Sequence, residues 1–404
     1  MLRRLQILIL SVVLVVAAFS TGYPFLFFLV YMGLLVGGGS YILTRLGLSD
    51  LEAGYAVSQL SAHVGDKLRV TYTLRNTGRL PKPWLEVHNP TTLSGGLPGR
   101  ALSLGGRQER SWLVRANLER RGHYRIEPLQ IRTGDPFGFF EASAGVGQGI
   151  TLVVYPKVDA LPLWRLPPAS IEGAHASPER TLQTTPLATT VRPYAPGDSM
   201  NRIHWRSTAK TGEIQVKEFD LEQTADAWIF LDLEAACEAG VGDDSTTEVA
   251  VRAAASIADK ALAENRAVGL TVNGHRLTVL PADRGARQRL KILQLLAAVE
   301  ADGRTPLDEA LLTGVGRLRR GMTAIIITSS QEASWIRPLA ALRARGIGTV
   351  VVALDPVAFD PARDGAGMEH QLQRSRALRH ALAEYELPTF AIAPRQALAE
   401  ALSR

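Results

Sequence analysis

The densest grouping of side chains able to do directional chemistry lies between residues 191 and 219. It reads Val191-Arg192-Pro193-Tyr194-Ala195-Pro196-Gly197-Asp198-Ser199-Met200-Asn201-Arg202-Ile203-His204-Trp205-Arg206-Ser207-Thr208-Ala209-Lys210, then Val216-Lys217-Glu218-Phe219. Arg192, Arg202, Arg206, Lys210 and Lys217 stand within reach of Asp198, Glu218 and Glu222, so charge-assisted pairs can form locally. Pro196-Gly197-Asp198 is turn chemistry, and Asp198 is of the right type to cap a short helix carrying His204 and Trp205.

Two readings of this segment compete. In one it is a clasp: a salt-bridged network that fixes the segment to the next domain, with Trp205 buried. In the other it is a recognition site for a phosphate, a peptide or a protein, built from arginine forks and an aromatic anchor. The candidate binding residues are Arg192, Tyr194, Gly197, Asp198, Arg202, His204, Trp205, Lys210, Lys217 and Glu218. A hydrolase using Asp198 and His204 is the enzymatic alternative. Ser199 and Ser207 are the nearby hydroxyls, but a Ser–His–Asp triad is defined by geometry rather than by spacing. The single cysteine, Cys237, follows an apolar run and has no obvious partner in sequence. It excludes a disulfide within the chain, argues against a thiolate zinc site and suits a reducing compartment.

The elements that must position these residues begin with two apolar runs. Residues 2–20 are apolar except for Arg3, Arg4, Gln6, Ser11 and Ser20, and residues 25–43 form a second run ending before Arg45. Ser20-Thr21-Gly22-Tyr23-Pro24 joins them without a charge. Each run is about long enough to cross a hydrocarbon core. A cleaved signal peptide is the rival reading for the first. The second run, following so closely, favours a transmembrane hairpin over residues 1–46. Gly37-Gly38-Gly39 would let its helices approach closely. Arg3 and Arg4 at one end and Arg45 at the other place both termini in the cytoplasm by the positive-inside tendency.

From residue 50 to 156 the pattern changes to period two. Residues 67–74 alternate polar and apolar side chains, Arg75-Asn76-Thr77-Gly78 is a turn, and residues 84–87, 110–116, 122–131 and 150–155 read as further strands. An antiparallel β-sandwich of immunoglobulin type accommodates them. Asp135-Pro136-Phe137-Gly138-Phe139-Phe140 reads as a turn with aromatic plugs or, alternatively, as an exposed aromatic contact site. Residues 157–190 are rich in Pro, Ser and Thr, a linker composition, and residues 191–224 hold the segment described above. Residues 225–404 alternate buried strands (227–233, 268–272, 276–280, 323–328, 349–354) with helices (247–265, 287–300, 305–320, 335–345). That alternation implies a doubly wound, mostly parallel sheet covered on both faces, with ligands at the carboxyl ends of its strands.

The chain has 404 residues, 46% of them hydrophobic and 21% charged, enough for two or three domains. Its net charge of +6 is spread without a Lys/Arg block, which argues against nucleic acid and fits the surface of an anionic lipid bilayer.

The run from Val191 to Lys210 resembles the signature of the bacterial family called domain of unknown function fifty-eight. Gly122-His123-Tyr124, Asp135-Pro136-Phe137-Gly138 and Val154-Tyr155-Pro156 match its upstream pattern. The resemblance implies a von Willebrand factor A-like domain at the C-terminal end. It also implies a setting beside MoxR-type AAA+ ATPases, often with transglutaminase-like membrane proteins, and a role as a non-catalytic adaptor or assembly factor without a cofactor. A von Willebrand A-like metal site needs an Asp-x-Ser-x-Ser run, a threonine on a later loop and a further aspartate, oxygen ligands that suit Mg²⁺. Here Asp232 persists, but Glu234 and Ala236 replace both serines, Thr305 stands for the threonine, and Ser330 follows the strand where the second aspartate belongs. The resemblance therefore implies a degenerate site at Asp232, Glu234, Thr305 and Ser330, and no metal. A metal-dependent binding module is the remaining alternative.

Overall fold

The computed structural model describes residues 2–166, 190–195, 198, 200–218, 226–360 and 366–403. The chain divides into two compact units, residues 1–157 with 293–298, and residues 158–292 with 299–404.

The first unit begins with helices α1 (Leu2–Thr21) and α2 (Pro24–Gly47). Gly22 takes a left-handed φ of 65° between them, and Pro24 opens α2, where its missing N–H costs nothing. Phe19 meets Phe27 edge to face at 5.3 Å. Helix α2 is long and apolar enough to cross a membrane; α1, over its described side chains, is a shorter apolar run from Ile9 to Thr21. The expected glycine contact is not made. A Cβ at Gly37, Gly38 or Gly39 would meet no atom within 4 Å. The glycine that does permit a close approach is Gly47, where a Cβ would lie 2.7 Å from the Thr133 side chain.

Ten strands follow: β1 (Leu51–Val57), β2 (Ser61–His63), β3 (Lys67–Asn76), β4 (Lys82–His88), β5 (Arg100–Leu104), β6 (Glu109–Asn117), β7 (Gly122–Ile126), β8 (Leu129–Gly134), β9 (Glu141–Val146) and β10 (Ile150–Tyr155). They form three sheets, ordered β1-β3-β6, β2-β10-β7 and β5-β4-β8-β9. The alternation read in β3 is real: Leu68, Val70, Tyr72 and Leu74 are buried and face one core with Leu85, Val87, Ile126, Ile131 and Val154. The strand expected over residues 122–131 is two strands in different sheets. Pro128 lies between them, and a residue without an N–H cannot carry a ladder through.

The second unit holds a small hairpin and a larger sheet. Strands β11 (Thr190–Pro193) and β12 (Gln215–Glu218) pair antiparallel, with helix α3 (Trp205–Thr211) between them in sequence. The linker expected over residues 157–190 falls mostly outside the described residues. The larger sheet is built from β13 (Ala227–Asp232), β14 (Val268–Asn273), β15 (Leu277–Asp283), β16 (Thr323–Thr328), β17 (Gly348–Leu354) and β18 (Thr389–Ile392). Its order is β15-β14-β13-β16-β17-β18, parallel throughout except for the edge strand β15. Helices α4 (Thr246–Ala263), α5 (Gly285–Ala298), α6 (Leu307–Val315), α7 (Ile336–Ala344), α8 (Pro356–Phe359), α9 (Ala366–Glu384) and α10 (Leu398–Ala401) connect and follow these strands. Pro306 stands at the N-cap of α6, so that the helix begins at Leu307 and not at 305 as its sequence pattern suggests.

Every residue of β13, β14 and β16 is buried, as a parallel sheet covered on both faces demands. Trp228 and Phe230 pack on one side with Leu311, Trp335 and Leu339. Ile229 and Leu231 alternate to the other side. Helix α4 starts at Ser245, whose hydroxyl accepts from the Glu248 N–H, and buries Val249, Ala253 and Ile257.

Candidate functional site

Two polar clusters carry the chemistry singled out in the sequence. The first is the hairpin of β11 and β12. Arg192 and Asp198 form a two-pronged pair, with Nη1 to Oδ2 and Nη2 to Oδ1 both at 2.8 Å. Asp198 Oδ2 also accepts from the Ala195 N–H at 2.9 Å, so the carboxylate closes the turn that leaves β11. The expected helix cap at Asp198 is therefore not what the fold uses. Helix α3 is capped by His204, whose Nδ1 accepts from the Ser207 N–H and lies 2.7 Å from Ser207 Oγ. A polar side chain that reaches the third residue of its own helix wins this role through proximity. The helix stops at Gly212, in the left-handed conformation at φ 74°, and returns its N–H to Thr208. The chain then re-enters β12, where the Gln215 carbonyl accepts from the His204 N–H at 2.7 Å.

Ile203 and Val216 are buried beneath this helix; Trp205 is not. Its side chain is 71% exposed, and Met200 is 69% exposed. The expectation of a buried Trp205 fails because α3 presents no buried position at all: seven residues over one hairpin give it too little to pack against. Tyr194 and Ile214 add partly exposed apolar surface. Arg206 and Lys210 are exposed, and Lys217 is half-buried. Gly197 and Glu222 lie outside the described residues, as do the side chains of Arg202 and Glu218. Asp198 bonds to Arg192 and Ala195, and His204 bonds to Ser207 and Gln215.

The second cluster lies at the carboxyl ends of β13, β14 and β16. Asp232 is buried, and both its oxygens are engaged. Oδ1 accepts from Asn273 Nδ2 at 2.9 Å and from the Glu234 N–H at 3.3 Å, and Oδ2 accepts from Thr328 Oγ1 at 2.7 Å. Burial pushes its carboxyl above the usual range, and the three hydrogen bonds pull the other way without restoring it. Asn273 and Thr328, which sequence reading missed, are its partners. They sit at the same level because β13 runs in parallel register between their two strands.

Of the remaining positions around Asp232, Ser330 is buried, Glu234 half-buried and Thr305 exposed. Glu234 is raised by burial and by Asp232, and it accepts from the Cys237 thiol at 3.7 Å. Burial, with Glu234 and then Asp232, pushes the Cys237 thiol up to about 12, so it stays protonated and weakly nucleophilic. Ser330 hydrogen-bonds the same thiol. Thr305 contributes its carbonyl, which accepts from Asn273 Nδ2 at 2.8 Å. The loop before Thr305 is zipped to the loop after β13 by Gly303: its N–H donates to Leu233 O and its carbonyl accepts from Ala235, both at 3.0 Å.

These residues do not fit a divalent ion. The one carboxylate in ligand position spends its oxygens on an amide and a hydroxyl, and Glu234 is committed to a thiol. Among the described residues no three His, Cys, Asp or Glu side chains converge as a metal set. Next to this edge, a cavity of about 430 Å³ is lined by Ser330, Asp355, Ser375, Leu378, Arg379 and Leu382, among others. Asp355 there is likewise engaged, by the Val357 N–H and by Ser375.

Residues 190–362, which hold the hairpin, α3 and the sheet as far as β17, match a single family model. The match is to the family described as protein of unknown function DUF58. An uncharacterized protein of Bacillus subtilis, YeaD, is 24% identical over 88% of this chain and 87% of its own. An uncharacterized protein of Mycobacterium tuberculosis, Rv1480, is 31% identical over 41% of this chain, which spans 54% of that relative's length. Among solved structures, the conserved hypothetical protein BatB of Bacteroides thetaiotaomicron aligns over 44% of this chain and 95% of its own, with 17% identity and a TM-score of 0.30. The DUF58 resemblance read from Val191 to Lys210 thus holds on the segment that carried it.

Proposed function

We propose that this chain is a membrane-anchored, non-catalytic docking protein, and that the β11–α3–β12 hairpin is its docking surface. The observation that carries the reading is Trp205: a tryptophan 71% exposed, on a short helix between exposed Met200 and exposed Arg206 and Lys210. Tryptophan and arginine are the residues most often found at the energetic centre of protein interfaces, and leaving such a ring in water has no benefit for a lone fold. The surrounding cations select a partner surface that is apolar at its centre and acidic at its rim.

The family resemblance supplies the partner class: a MoxR-type AAA+ ATPase, with a transglutaminase-like membrane protein as a further member of the assembly. In this reading α1 and α2 both span the inner (plasma) membrane and leave the two units in the cytoplasm. The strands of the first unit form an immunoglobulin-like sandwich, and the six-stranded sheet with its single antiparallel edge is a von Willebrand A-like domain whose metal positions have been converted to internal hydrogen bonds. The engagement of both Asp232 oxygens favours an adaptor over a metal-dependent binding module, and the commitment of the Asp198 carboxylate to Arg192 and the Ala195 N–H favours it over a hydrolase.

The test is recovery of partners from native membranes with the full chain, comparing wild type, Trp205→Ala and Asp198→Ala. The expected result is an AAA+ ATPase retained by wild type and lost by Trp205→Ala. Equal recovery by wild type and both variants overturns the docking role.

A further inference from the structure

The last two turns of α2 do not simply lead into the strands of the first unit; they are packed against them. Ser40, Thr44 and Gly47 are buried. Lys82, 2% exposed, donates its ammonium to the Leu46 carbonyl and to Ser49 Oγ, capping the end of the helix. Tyr41 meets Phe140 edge to face at 5.7 Å, and the Ser40 hydroxyl bonds Asp135. These contacts fix the loop of residues 135–140 beside Ser40 and Tyr41, about 10 Å back along the helix axis from its end.

That depth has a consequence. Helix α2 is 24 residues, about 36 Å, against a hydrocarbon core of about 30 Å. If it spans from Pro24, the core ends close to Leu43, and Tyr41 stands at the level where headgroups meet acyl chains. The loop fixed beside Tyr41 is then at that level too. Its chemistry suits the place. Phe137 is 54% exposed and stacks on Phe139 at 5.7 Å. Trp84, also exposed, lies next to Gly134 at the loop's base. The single charge of the loop, Asp135, is buried and accepts from the Phe137 and Phe140 N–H groups at 2.9 and 2.6 Å. The face left outward is Pro136-Phe137-Gly138, without charge. Trp and Tyr are enriched at this depth because their rings carry a polar group, as Trp84 and Tyr41 do, and the phenylalanines beside them add apolar area.

We propose that residues 135–140 form an aromatic foot that enters the lipid interface next to α2, so that the first unit rests on the bilayer through Phe137 and Phe139. The proposal rests on the reading of α2 as a span. The test uses the full chain with Cys237→Ser as background, reconstituted into equimolar phosphatidylcholine and phosphatidylglycerol vesicles. An environment-sensitive dye is attached at Phe137→Cys, at Leu35→Cys within α2, or at Lys67→Cys. Lys67 is exposed and starts β3, about 30 Å of strand from Asn76, which pairs with Leu51 near the helix end.

Nitroxide lipids labelled near the headgroup should quench most of the Phe137→Cys signal, and lipids labelled near the chain end should quench Leu35→Cys. Lys67→Cys should answer only to aqueous iodide. If Leu35→Cys is quenched by lipid while Phe137→Cys behaves like Lys67→Cys, the foot is wrong and the span stands. If Leu35→Cys is not quenched by lipid either, the span itself fails and the foot with it.

Discussion

The hairpin of β11 and β12 and the carboxyl edge of the large sheet are equally rich in polar side chains, and they spend them in opposite ways. At the sheet edge the buried Asp232 has both oxygens engaged by Asn273 and Thr328, and half-buried Glu234 and Cys237 bond each other, while Asn273 Oδ1 is left buried without a partner among the described residues. In the hairpin one two-pronged pair, Arg192–Asp198, shapes the turn, and Arg206, Lys210 and the tryptophan face solvent. The difference teaches where binding capacity remains. A buried group whose lone pairs are filled has nothing left to offer a ligand, whereas exposed rings and guanidinium groups do. Position at the carboxyl end of a parallel sheet is therefore not enough to make Asp232 a site.

The comparison can be broken most directly at Asn273, which bridges Asp232 and the Thr305 carbonyl. Asn273→Ala leaves a buried carboxyl and a carbonyl each short of a donor and should cost about 2–3 kcal/mol in denaturant unfolding. A loss below about 0.5 kcal/mol would mean the cluster is wetter and more available than its geometry indicates.

Next in size is the pH response of Asp232. Its folded pKa lies above the unfolded value, so the folded state binds more protons than the unfolded chain between the two. Stability from this group is therefore highest in acid and declines as pH rises from the unfolded carboxylate value, about 3.9, through the raised one. Asp232→Asn should flatten that decline and be no less stable than wild type at neutral pH. Melting temperature against pH for the two proteins measures it, and a neutral-pH loss in Asp232→Asn shows that the charge is used.

In the hairpin the effects on global stability shrink. Arg192→Ala removes a pair whose arginine is 41% exposed and should cost less than about 1 kcal/mol. The local mark is larger: the Ala195 N–H loses its ordered acceptor and should exchange faster with deuterium than in wild type. Smallest of all, Trp205→Ala should move stability by no more than about 0.5 kcal/mol while abolishing partner recovery. A large loss of stability there would return the segment to the role of a clasp.

Much of the fold was legible because burial imposes periods. Strand β3 alternated visibly, β13 and β16 read as continuous apolar runs, and α4 showed its stripe of Val249, Ala253 and Ile257. What escaped had physical reasons. Strand β9 is Glu141-Ala142-Ser143-Ala144-Gly145-Val146, whose small side chains blur the alternation. The break at Pro128 was written in the sequence, but alternating residues on either side, Tyr124 and Ile126 before it and Leu129 and Ile131 after it, concealed it. Strands β11 and β12 are four residues each, too short for any period to show. At the candidate sites, the Arg192–Asp198 pair was within reach of local spacing. The partners of Asp232 were not, because Asn273 and Thr328 are 41 and 96 residues away and meet it only through strand register. Between the buried Trp205 of the clasp and the aromatic anchor of the recognition site the sequence could not choose, because it did not reveal how little surface a seven-residue helix offers the ring.

The ammonium of Lys82 at the end of α2, with Gly47 pressed on Thr133, makes the junction behave as a welded joint. A flexible leash would let the attached unit swivel while the anchor drifted. If α2 spans a membrane as proposed, any tilt of the helix is transmitted to the strands as torque. Spanning helices lean by about 20° on average, and a change of that size at the joint would swing a point 30 Å away through about 10 Å. If α2 spans as proposed, bilayer thickness, one of the influences on that lean, becomes a mechanical input to where the strands of the first unit stand.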